Sequence, residues 1–153
     1  MTKNQIFSSP LNLAVVSIHP AVKGPVCALP LFNTSVAAGI PSQADDHIER
    51  ELDLNDFMVK NPCATFFVRV EGESMRDAGI LSGDMLVVDR SLTPSHDKII
   101  VAILDGEFTV KRLIIEEEKV YLEPANPNFH RMEVHPDSFF QVWGVVTYVI
   151  HKP

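Results

Sequence analysis

The chain has 153 residues, of which 46% are hydrophobic and 22% charged, with a net charge of −7. That suits one soluble globular domain with a real core and a tail. It argues against phosphate-backbone binding as the main activity. The charge is uneven: residues 1–38 carry Lys3 and Lys23 and no carboxylate, +2, so the remainder carries −9. A cationic arm lying on an acidic body is one expectation, and an uncharged, disordered leader is the other.

Residues 1–46 are broken by Pro10, Pro20, Pro25, Pro30 and Pro41, which prevents long helices. Short apolar pieces lie between, at Leu13 to Ile18 and at Leu29-Pro30-Leu31-Phe32. They suit an extended arm that docks in grooves. The run after Lys3 mimics a poor signal peptide, but Asn12 breaks it and His19-Pro20 ends it, so no export is expected. Nothing approaches the roughly 18 apolar residues of a membrane span. Val36 to Pro41 is small and free of charge, which fits a linker or an extended peptide able to enter a narrow site.

From Asp45 to Leu54 the opening is acidic, and Ile48 and Leu52 form an i, i+4 pair. This predicts a short amphipathic helix capped by Asp45 or Asp46. A second short turn is expected over Leu54 to Val59, ending near Asn61-Pro62.

The remainder reads as β. Ala64–Val70, Met85–Asp89, Ile99–Leu104, Glu107–Ile115, Lys119–Leu122 and Val142–Ile150 are the expected strands. Asp105-Gly106 is a two-residue hairpin signal. Gly79, Gly83 and Pro94 mark turns. The expected fold class is mainly β, a set of short, curved antiparallel sheets with an extended N-terminal arm and a short helix. Cys27 and Cys63 are the only cysteines, and without a His/Cys cluster neither a metal site nor a cofactor is expected. Two free thiols fit a reducing cytosol, although a single disulfide stays open.

Two residues stand out as chemistry. Ser74 follows a β-like run, in a turn that Gly72 allows to bend sharply. Lys111 lies in a second β-like run 37 positions on. Serine needs a base to attack a carbonyl, and lysine can serve only when neutral. Its usual pKa of about 10.4 falls on burial in apolar surroundings. Alternation puts Thr109 and Leu113 on the same face as Lys111. The N–H groups of Ser74 and Glu73 are candidate donors to an oxyanion. Taken singly, Ser74 reads as a turn residue and Lys111 as a solvated strand lysine. His47, His96, His130 and His135 are rival bases, and no spacing selects one.

Together the motifs carry a resemblance. Glu71-Gly72-Glu73-Ser74-Met75-Arg76-Asp77-Ala78-Gly79-Ile80, then Gly83 to Asp89, then Asp105 to Leu113, resembles the S24 self-cleaving Ser-Lys peptidases, LexA repressors and UmuD mutagenesis proteins. The match runs from about Leu29 to Val149, and Leu29 to Phe32 with Glu49 to Asn55 resembles UmuD more than LexA. The resemblance implies a LexA/signal-peptidase-like fold, Ser74 as nucleophile and Lys111 as base. It implies that residues 1–38 are an arm removed by cutting Ala38-Gly39, leaving 39–153 as the β-rich catalytic and dimerisation domain. It further implies a cytoplasmic homodimer, stimulation by the RecA filament on single-stranded DNA, and action in the SOS response. The cleaved form would join a UmuC-type Y-family translesion polymerase, and the sliding clamp is a further partner to consider. No membrane contact and no direct sequence-specific DNA binding are expected. A LexA-like repressor and a non-catalytic polymerase-binding module are the alternatives. The segment before Leu29 is longer than the resemblance accounts for, and it is too rich in proline for a helix-turn-helix.

Overall fold

The computed structural model describes residues 12–32 and 48–153. The body is one curled eight-stranded antiparallel sheet. Its strands are β1 (Ala14–Pro20), β4 (Thr65–Glu71), β5 (Met85–Asp89), β6 (Ile99–Leu104), β7 (Glu107–Glu116), β8 (Lys119–Glu123), β9 (Met132–Glu133) and β10 (Phe140–Ile150). Across the sheet the order is β1-β4-β5-β10-β6-β7-β8-β9. A separate hairpin pairs β2 (Ala28–Phe32) with β3 (Ile48–Asp53), and α1 (Leu54–Met58) follows it directly.

The β-rich expectation holds, and its strands fall where alternation and branched side chains place them. The Asp105-Gly106 turn joins β6 to β7, with φ of 49° and 88°. Positive φ at both central residues is the hairpin turn whose twist matches its strands. Curling brings Val68 and Val70 of β4, Leu86 and Val88 of β5, Val101 of β6 and Val110 of β7 into one buried cluster. A second cluster lies on the other side of the sheet, around Ile100, Ala102, Leu113, Leu122 and Val145. Both faces of the central strands are therefore covered.

One expectation needs correction. The predicted helix over Asp45–Leu54 is, over Ile48–Asp53, strand β3. Ile48 pairs with Phe32, Leu52 with Leu29 and Asp53 with Ala28. A spacing of four is shared by a helix face and by a strand face, so the i, i+4 pair does not discriminate between them. The helix that does form starts after Asp53, whose carboxylate accepts from the N–H groups of Asn55 and Asp56. Asp45 and Asp46 lie outside the described residues, as do Lys3 and the Ala38-Gly39 bond.

The apolar piece Leu13 to Ile18, expected as part of an extended docking arm, supplies β1, an edge strand of the main sheet paired with β4. A bulge between Val15 and Ser17 resets the alternation. Leu13 and Val15 face the core before it and Ile18 after it. Lys23 then meets Asp56 at 3.2 Å, and the Cys27 N–H donates to Asp53. Cys27 and Cys63 are free and exposed.

Candidate active site

Ser74 follows β4 after a tight turn. Gly72 has φ of 118°, a left-handed conformation that other residues resist, and its N–H donates to the Ser82 hydroxyl. The turn is fixed from a second side by the loop after β8. The Ala125 N–H donates to the Ser74 carbonyl at 2.8 Å, and Asn126 Nδ2 donates to the Glu73 carbonyl at 2.8 Å. The Asp77 N–H returns a bond to the Ala125 carbonyl. Asn126 is itself buried.

Lys111 sits in the middle of β7, opposite Ile100 of β6. Ser74 is fully buried and Lys111 is 4% exposed. The sheet's curl carries the amine to the serine: Nζ lies 2.9 Å from Ser74 Oγ. It also lies 3.1 Å from Thr109 Oγ1 and 3.0 Å from the Val110 carbonyl. Burial disfavours the ammonium and lowers the Lys111 pKa from 10.5 to about 8. A neutral amine has two N–H donors and one lone pair. Thr109 and Val110 can take the donors, which leaves the lone pair facing the Ser74 hydroxyl proton. The arrangement can therefore generate an alkoxide-like nucleophile without histidine.

Among the described residues none of the rival histidines takes that place, and His47 lies outside them. His96 Nδ1 accepts from the Ile115 N–H, and His135 Nδ1 from the Asp137 N–H. His130 is exposed. Among the described residues no hydrogen-bond acceptor is found for the N–H of Glu73 or Ser74.

This geometry coincides with a family signature. The model for peptidase S24-like proteins matches residues 30–147, more than half the chain. The chain belongs to the S24 peptidase family. It is a self-cleaving serine peptidase of that family, related to the UmuD-type mutagenesis proteins. It is 47% identical over 123 residues to the protein ImpA of Salmonella typhimurium, covering 80% of this chain and 83% of ImpA. It is 44% identical over 124 residues to the protein MucA of Escherichia coli, covering 80% and 84%. The LexA repressor of Glaesserella parasuis is 37% identical over 125 residues, covering 81% of this S24 peptidase but 59% of the repressor.

Two features of the S24 site were not legible from the motifs. Asn126 sits in a Pro-Ala-Asn-Pro loop that reads as an ordinary turn, yet it holds the serine turn in place. The other is Leu13, whose N–H donates to Ser74 Oγ at 3.0 Å from 61 positions upstream. Its apolar setting was visible, but its partner was not. Among the described residues no helix is long and apolar enough to cross a membrane.

Proposed function

We propose that this S24 peptidase cuts its own Ala38-Gly39 bond with Ser74 as nucleophile and Lys111 as general base. Neutral Lys111 takes the hydroxyl proton as Ser74 Oγ attacks the Ala38 carbonyl carbon. The tetrahedral oxyanion is received by the N–H groups of Ser74 and Glu73. Collapse breaks the C–N bond, and the proton passes from Lys111 to the departing Gly39 nitrogen. Water then hydrolyses the Ser74 ester, with Lys111 again as base. The substrate is part of the same protein, so high effective concentration replaces recognition binding.

The 2.9 Å contact between a buried lysine amine and a buried serine hydroxyl carries this reading. The relation to UmuD-type proteins supports the physiological setting. In that setting the protein is a cytoplasmic homodimer, and a RecA filament on single-stranded DNA stimulates cutting. The 39–153 product serves a UmuC-type Y-family translesion polymerase, with the sliding clamp as a further contact. Intact mass of purified protein, held at alkaline pH or mixed with activated filament, tests the chemistry. The 39–153 product should appear with wild type and be absent with Ser74→Ala and with Lys111→Ala. Cutting at Ala38-Gly39 by either folded variant would refute the assignment.

A further inference from the structure

We infer that β1 is an internal inhibitor: a strand of the leader seated in the peptide cleft at Ser74, which must leave before that site can cut. The inference rests on the reading of Ser74 and Lys111 given above and adds a regulation to it.

Four observations converge on the cleft. The Leu13 N–H donates to the nucleophile oxygen itself, at 3.0 Å. The Asn12-Leu13 peptide lies so close on Gly72 that a Cβ there would stand 2.2 Å from the Asn12 carbonyl oxygen. From Ala14 opposite Glu71 to Pro20 opposite Phe66, β1 adds a strand to the edge that leads into the serine turn. Strand addition of this kind is a general way to hold an extended peptide. Finally, the Leu13 side chain is 1% exposed and joins the buried cluster with Val70, Met75 and Val110. The apolar pocket beside the serine is filled, and Ser74 has no exposure left.

The seated peptide is held in a form that resists cutting. Its N–H points at Oγ, so the hydroxyl meets the edge of the Asn12-Leu13 peptide. Attack on a carbonyl requires approach across the face of that group, in a near-attack geometry. One of the two oxygen lone pairs is also engaged by the N–H. A ligand bound at the nucleophile but turned away from reaction is an inhibitor. Any peptide that is to be cut, including the chain's own Ala38-Gly39, must displace β1 or wait for it to leave. The apparent rate is then the intrinsic rate scaled by the fraction of molecules with the cleft open.

A reversible lock tests this. Ser17 and Arg69 face each other across β1 and β4, and Arg69 is exposed. In the full chain carrying Cys27→Ser and Cys63→Ser, the pair Ser17→Cys and Arg69→Cys is oxidised to tie β1 down. Self-cleavage at alkaline pH is followed by intact mass, before and after reduction, with the cysteine-free parent given the same oxidant. The oxidised form should cut at least about tenfold more slowly than the same protein reduced. Equal rates would overturn the inference. A second variant loosens the strand: Val15→Glu with Ile18→Glu places charge on two half-buried residues that pack on the core. It should cut several-fold faster than the parent; slower cutting would mark β1 as scaffold and overturn the inference. Ser74→Ala in the same background separates the two readings. If it still cuts, the dyad is wrong. If it is inert while the lock has no effect, only the inhibitor is wrong.

Discussion

The Lys111 amine is surrounded by three oxygens, those of Ser74, Thr109 and Val110. An ammonium satisfies all three with its three protons, so the charged form is well bonded although poorly solvated. Burial decides the balance and brings the pKa to about 8. In the proposed mechanism the active form is the neutral one, whose population grows as pH rises. Unassisted self-cleavage should therefore accelerate about tenfold per pH unit below pH 8 and level off above it. Single-turnover rates measured by gel from pH 6 to about pH 10 check this, and a profile still climbing at the upper end would mean an exposed lysine. Ser74 and Lys111 could be singled out in the sequence because each motif gives a residue type and a local turn or strand. Asn126 and Leu13 could not. Both act through backbone atoms of the serine turn or through the serine oxygen, and such pairings leave no local signature.

Among the elements, the strands whose partners are near in sequence were legible. β6 and β7 are joined by a turn whose two residues select its type, whereas β7 and β8 are joined by Glu117 and Glu118, which take positive φ without being turn formers. β1 is not legible because its strand character depends on a distant partner, and β3 because the Ile48–Leu52 spacing fits a helix and a strand alike. β1 becomes a strand only through β4, some fifty positions later. β10 lies between β5 and β6 and takes two bulges, one after Val142 and one after Val146. At the first bulge, Gly144 is packed so tightly that a Cβ would meet Val88 Cγ1 at 2.5 Å. Val88 is fully buried and has little room to yield. Gly144→Ala should lower stability by about 1–3 kcal/mol in urea unfolding, the usual cost of overpacking. An unchanged midpoint would show that the Val88 side chain can shift after all.

At the scale of the whole molecule, the body binds its leader at two places. β1 lies against β4, and β2 lies against β3, which would stay with the 39–153 product. The Lys23–Asp56 pair is one local form of the charge contrast between a +2 leader and a −9 remainder. Such an exposed pair adds little stability by itself. The strand pairings and the burial of Leu13 do most of the holding.

The placement of β2 and β3 on either side of residues 33–47 has a further outcome for the proposed reaction. A cut at Ala38-Gly39 would leave β2 on one fragment and β3 on the other, still hydrogen-bonded to each other. Hydrolysis would thus produce a nicked complex, and no free leader would diffuse away. Gel filtration under native conditions should show the 1–38 peptide travelling with the 39–153 product, and mild denaturant should separate them. Immediate loss of the peptide would show that the two pairings are too weak to outlast the bond. Severing the chain and surrendering the fragment are then separate events, and whatever takes up the shortened protein has a hydrogen-bonded ribbon still to peel off.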